Sequence, residues 1–150
     1  MPMNPSLIAA AIMLVAGMLS AVQAPTNARL AGAVGSPINA ALISFGVGAA
    51  ALALLALMLR SRMDLAAMRI LPWHAWLGGL YGAIFVAGAA YAAPRIGVAS
   101  TLIILIAGQL VAAVLIDHFG AFAVPVRTIS LERLIGVCLV IGGVFLVRRG

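Results

Sequence analysis

The sequence predicts an all-α membrane protein with five transmembrane helices, and three observations predict it. The first is composition. Of 150 residues, 65% are hydrophobic and 8% charged, against ~45–50% and ~25% in a soluble domain. A water-soluble domain of ~150 residues buries only about 70% of its unfolded surface, so one core cannot hide this much apolar side chain. The second is patterning, because the apolar residues fall into five long runs. The third is charge placement. The net charge of +6 comes from arginines against Asp64, Asp117 and Glu132, and the arginines stand between the runs rather than in a patch with stacking aromatics. Together these exclude a soluble enzyme, a disordered chain and a nucleic-acid binder, and the one cysteine excludes an internal disulfide framework.

A hydrocarbon layer about 30 Å thick needs ~20 apolar residues at a rise of ~1.5 Å each. Runs of that kind cover about 5–24, 38–59, 73–93, 98–116 and 131–147, the last opening on the interfacial pair Glu132 and Arg133. The segments between them carry turn-forming residues: NARLAGAVGSP, RSRMDLAAMRILP, the tight PRIG turn and DHFGAFAVPVRTIS. None is long enough to hold a soluble domain, so residues 1–150 are expected to form one transmembrane domain. Lipid offers the backbone no hydrogen-bond partner, and the runs lack the in-out alternation of barrel strands, so each is expected to be an α-helix. Val22-Gln23-Ala24 has the small-x-small form of a signal-peptidase site. No basic residue precedes Leu7, however, and the run is longer than a signal h-region of ~7–15 residues, so it is expected to be retained as a helix.

Five crossings place the two ends of the chain on opposite sides of the membrane. On the side of the first residue lie Arg60, Arg62, Arg69, Arg127 and Arg133; on the other lie Arg29, Arg95, Arg148 and Arg149. A bias of one charge hardly selects an orientation. The pattern fits either a single topology with a weak signal or a chain that inserts both ways and pairs with an inverted copy of itself. Small residues recur four apart at Gly17 and Ala21, Gly78 and Gly82, and Gly108 and Ala112. Such pairs permit close helix approach where lipid removes the hydrophobic drive, and they are also common in any Ala- and Gly-rich membrane helix.

A polar group inside a membrane helix costs free energy and therefore points to function. Ser20, Gln23 and Asn27 fall at i, i+3 and i+7, on one helix face. Pro25 among them lacks a backbone donor and frees a carbonyl one turn earlier, and Arg29 follows. Amide, carbonyl and guanidinium at one helix end fit a recognition point for a polar or anionic group; they equally fit interhelical hydrogen bonding with a snorkelling arginine. Gln109 stands deep in the fourth run, where its amide needs a neighbouring helix or a wet cavity. Tyr81 lies between Leu80 and Gly82 with its hydroxyl expected to face a partner or a cavity. Asp117 and His118 adjoin at a membrane edge, where they fit either a proton relay or a solvated helix cap.

Trp73 and Trp76 follow Pro72 and are expected at the membrane interface, with His74 solvated beside them. Ser44 and Thr101 can bond carbonyls of their own helices, and Cys138 reads as a small apolar filler. The sequence holds no phosphate-binding loop, no metal-ligand cluster and no nucleophile with a base at workable spacing, so neither cofactor nor metal nor catalysis is expected. No acid stands in the middle of a helix, which disfavours exchange of protons for a bare cation and favours a neutral, zwitterionic or anionic ligand.

The stretches Gln23-x-x-x-Asn27-x-x-Leu30, Gly35-Ser36-Pro37, Ser44-Phe45-x-Val47-Gly48, Pro72-Trp73-x-Ala75-Trp76-Leu77-Gly78-Gly79, Pro94-Arg95-x-Gly97, Gly108-Gln109-Leu110, Asp117-His118-Phe119-Gly120 and Arg133-x-x-Gly136 occur in this order. Together they resemble the YdcZ-like five-helix family of the drug/metabolite transporter superfamily over nearly the whole chain. The resemblance implies a bacterial inner-membrane protein that is half of an inverted-repeat transporter. Its partner would be a second copy or an oppositely inserted paralogue, and its substrate a small molecule. The resemblance assigns no binding residue; from the polar positions themselves, Gln23, Asn27, Arg29, Tyr81 and Gln109 are expected to wall the polar pathway. A small dual-topology anion channel and a non-transporting membrane subunit or scaffold are the alternatives.

Overall fold

The computed structural model describes residues 4–149; residues 1–3 and 150 of the expected domain lie outside the described residues. Every long element is a helix, and no strand occurs among the described residues. The elements are α1 (Pro5–Val34), α2 (Pro37–Met58), the short α3 (Leu65–Arg69), a 3-10 turn (Trp73–Leu77), α4 (Gly78–Ile96), α5 (Val98–Phe119), a second 3-10 turn (Ala121–Ala123) and α6 (Leu131–Arg149). The chain divides into two compact units, one up to Pro94 and one from Arg95.

In the first unit α1 and α2 form a tight hairpin. Asn4 accepts the Ser6 N–H at 3.0 Å and Pro5 takes the first turn, where a missing donor costs nothing. The expected end at Ala24 is too early: α1 continues to Val34 and is 30 residues long. Pro25 removes a single backbone donor, the Thr26 hydroxyl donates to the Val22 carbonyl at 2.8 Å, and the helix continues through Gly32 to Gly35. Gly35 closes the helix at φ +82, a conformation that penalises any β-carbon. Ser36 then caps α2 by accepting the Asn39 N–H, and Asn39 Nδ2 donates back to the Val34 carbonyl, each at 3.0 Å. Asp64 similarly caps α3, its Oδ1 accepting from the Ala66 and Ala67 N–H groups.

The buried apolar residues are Ala24, Ala31, Ala40, Ala41, Val86, Ala89, Ala90 and Ala93, so the interior is built almost wholly of alanine. Large side chains such as Leu19, Leu42 and Leu57 stand outward. This is the inverse of a soluble core and is what packing in lipid selects, since close backbone approach replaces the hydrophobic drive between helices. Among the glycines in the expected small-residue pairs, Gly82 alone would bring an added β-carbon within 4 Å of a neighbour; Gly17, Gly78 and Gly108 meet open space.

The third run starts as the 3-10 turn bearing Trp73 and Trp76, both exposed, and becomes regular helix at Gly78. It passes Pro94 before Gly97, at φ +83, stops it.

In the second unit α5 runs to Phe119 rather than Ile116, which puts Asp117 and His118 in its last turn. Thr101 Oγ1 donates to the Gly97 carbonyl at 2.7 Å, satisfying itself on its own chain as expected. Gly120 ends α5 in the left-handed region, and the Arg127 N–H donates to the Asp117 carbonyl at 2.8 Å. The segment then turns into α6, which reaches Arg149 rather than Val147.

Four helical stretches among the described residues are long and apolar enough to cross a membrane: Pro5–Val34, Pro37–Met58, Trp73–Ile96 and Val98–Phe119. The fifth, α6, has the length at 19 residues but carries Glu132 and Arg133 at one end and Arg148 and Arg149 at the other. At ~1.5 Å per residue α1 extends ~45 Å, more than the ~30 Å hydrocarbon layer, so it must tilt or project past the apolar zone.

Candidate functional site

The polar face expected on α1 forms. Successive helix residues are rotated by ~100°, so Ser20, Gln23, Ala24, Asn27 and Ala31 share one side. Ala24, Asn27 and Ala31 are buried there and Ser20 and Gln23 are half-buried. Gln23 lines a cleft of about 270 Å³ with Ser44, Phe45, Gly48, Ala49 and Leu52 of α2. One turn further along the same face, Asn27 is only 4% exposed, and its Nδ2 has no hydrogen-bond partner. Burying an amide donor unmade costs ~1–3 kcal/mol, and such groups mark strain or a function.

Arg29 does not join this face. Two residues past Asn27 it is rotated by about 200°, and it is exposed on the far side of α1. The expected meeting of amide and guanidinium therefore does not occur within the first unit. The residue that joins Gln23 instead is Phe45. It lines the cleft and also walls a larger, almost wholly apolar cavity of about 590 Å³, shared with Ile38, Ala41 and Leu42 of α2 and Gly79, Ala83, Ile84 and Ala87 of α4. Its ring rests against Gly82: a β-carbon there would lie 3.0 Å from Cζ. No spacing in the sequence pairs Phe45 with Gly82, and the one signal of the contact is the lack of a side chain at Gly82. Tyr81, next to Gly82, is 54% exposed.

In the second unit Gln109 is exposed at the middle of α5 and makes no hydrogen bond to the described residues. Asp117 and His118 are tied into the α5–α6 connection. Arg133 Nη1 donates to Asp117 Oδ2 at 3.2 Å, and the His118 Nδ1 accepts the Ile129 N–H at 3.3 Å. Both side chains therefore serve as fasteners in this conformation. An open cavity of about 430 Å³ adjoins the ion pair, lined by Leu110, Ala113, Val114, Gly136, Val137 and Val140. No group of three metal-ligating side chains occurs among the described residues.

Residues 8–146 match the family model described as "Putative inner membrane exporter, YdcZ". The chain belongs to this YdcZ family. A curated relative, the inner membrane protein YdcZ of Escherichia coli (strain K12), is 31% identical over 77 residues. That match covers 51% of this chain and 51% of the relative, so it spans about half the length of each. No solved structure matches. Membership and the apolar helices together make this a multi-pass inner-membrane protein of a transport family, not of an enzyme family.

Proposed function

We propose that this YdcZ-family protein is one half of a secondary transporter, working as an antiparallel pair with a second copy or an oppositely inserted paralogue. Its single domain, residues 1–150, crosses the membrane five times, and alternating access follows from the two inverted halves exchanging conformations. The near balance of arginines on the two sides supports insertion in both senses. A fifth crossing by α6 is supported by the neutralisation of Arg133 by Asp117. Arg149 at the far end of that helix can snorkel to headgroups, so its uncharged stretch from Leu134 to Val147 can be short.

The transported solute is small and polar, zwitterionic or anionic. Gln23 and Asn27 are its first contacts, with Arg29 and Tyr81 as further polar groups of the pathway. The observation that carries this reading is the Asn27 amide, buried without a partner on the face that bears Gln23. An alanine-lined helix contact gains nothing from an orphaned donor, whereas a transport cycle that alternately exposes and occludes it does. The test is efflux from proteoliposomes holding the purified protein and a panel of radiolabelled amino acids, carboxylates and polyols. Release of one class that falls at least tenfold in Asn27→Ala and in Gln23→Ala supports the reading; release unchanged by both substitutions removes them from the site.

A further inference from the structure

Gln109 occupies a special place on α5. It lies eleven residues after Val98 and ten before Phe119, so it marks the midpoint of a helix that crosses the membrane. It is exposed, and nothing within the described residues bonds it. An amide facing hydrocarbon at that depth would leave two donors and an acceptor unmade, which lipid strongly disfavours. Something covers it.

We infer that it is covered by its own counterpart: α5 of one copy packs against α5 of an oppositely inserted second copy, and the two Gln109 amides bond each other across the two-fold axis. The inference rests on the antiparallel reading above and adds to it a seam and a shared residue. In an antiparallel pair, residues equidistant from the crossing point meet, and only the midpoint residue meets itself. The midpoint of α5 is the one position in that helix occupied by an amide, a side chain that donates and accepts and so pairs with an identical group. The flanking residues are symmetric about it. Leu102, Leu105, Ala113 and Ile116 lie seven and four residues to either side, all within ~40° of the Gln109 direction. Leucine four residues before Gln109 thus opposes alanine four residues after it, a large side chain against a small one. Gly108 and Ala112, both exposed, keep the backbones free to approach. The partner therefore contributes a residue that completes the polar group of the first copy.

The test is disulfide crosslinking in native membranes, in a Cys138→Ser background because Cys138 is exposed. Gln109→Cys is expected to crosslink as a dimer. Leu105→Cys combined with Ala113→Cys is expected to crosslink, and neither alone. Gln109→Leu, which keeps the helix apolar, is expected to weaken dimerisation in detergent ~3- to 30-fold, the range of one or two interhelical hydrogen bonds. Crosslinking of Leu105→Cys alone would mean parallel helices and would overturn the inference together with the antiparallel reading. If Gln109→Cys instead reacts with a water-soluble maleimide and forms no dimer, Gln109 faces a wet pathway within one copy. The α5 seam would then be overturned while the transport reading stands.

Discussion

The edge of the Phe45 ring fills the space that a side chain at position 82 would occupy, so that a β-carbon on Gly82 would sit 3.0 Å from Cζ. This one contact bridges α2 and α4 and also sets the boundary between the apolar cavity and the cleft that holds Gln23.

Substitution at Gly82 should therefore be graded by size. Gly82→Ala requires the ring tip to move a few tenths of an ångström and is expected to be nearly neutral. Gly82→Leu must expel the ring and is expected to cost about 1–3 kcal/mol, as overpacking usually does. Phe45→Ala in the Gly82→Leu background should restore part of the loss, because the two changes share one space. Thermal unfolding in detergent, followed by the fluorescence of Trp73 and Trp76, reads all three.

Asn27 sets stability against function. Replacing it with leucine, which shares the branched skeleton but carries no donor, removes the orphaned group. The Asn27→Leu protein is then expected to be unchanged or more stable by up to about 1–2 kcal/mol. Transport should be lost at the same time. If Asn27→Leu leaves the protein both less stable and fully active, the amide is structural.

The two helix-ending glycines Gly35 and Gly120 should differ in tolerance. Both have positive φ, but nothing lies within 4 Å of a β-carbon at Gly35, whereas at Gly120 it would meet Val126 Cγ2 at 2.6 Å. Gly35→Ala is expected to cost about 1 kcal/mol, the left-handed penalty alone, and Gly35→Asn less. Gly120→Ala should cost clearly more and should loosen the α5–α6 connection. Hydrogen exchange of the Arg127 amide, which donates to the Asp117 carbonyl, reports that loosening.

The Asp117–Arg133 pair is about one-third exposed on each side, so its coupling is expected to be modest, about 1 kcal/mol or less, and weaker at high salt. A double-mutant cycle with Asp117→Asn and Arg133→Gln measures it. Removing Asp117 alone should impair membrane insertion of α6 more than removing both, because Arg133 is then left without its neutralising partner.

Much of this was legible in the sequence because membrane burial is a coarse constraint. Run length placed the five long helices, and the i, i+3, i+7 spacing placed Gln23 and Asn27 on one packed face. Helix ends were less legible. The apolar run ends at Ala24, yet the one donor that Pro25 lacks did not outweigh the favourable helix that follows it, and only Gly35 ended α1. Arg29 parts from that face because α1 continues, and the helical rotation carries its guanidinium to the far side. The ion pair of Asp117 with Arg133 and the seat of Phe45 on Gly82 span 16 and 37 residues of sequence, and no local pattern announces either.

Ser61 is exposed between α2 and α3, beside Arg60 and Arg62, and tests whether copies of this chain insert in both senses. A Ser61→Cys, Cys138→Ser protein, made in cells that lack other members of the family, is treated with a membrane-impermeant maleimide before and after permeabilisation. Comparable fractions labelled from outside and only after permeabilisation are expected of an inverted pair. Labelling of every copy from one side alone would contradict it.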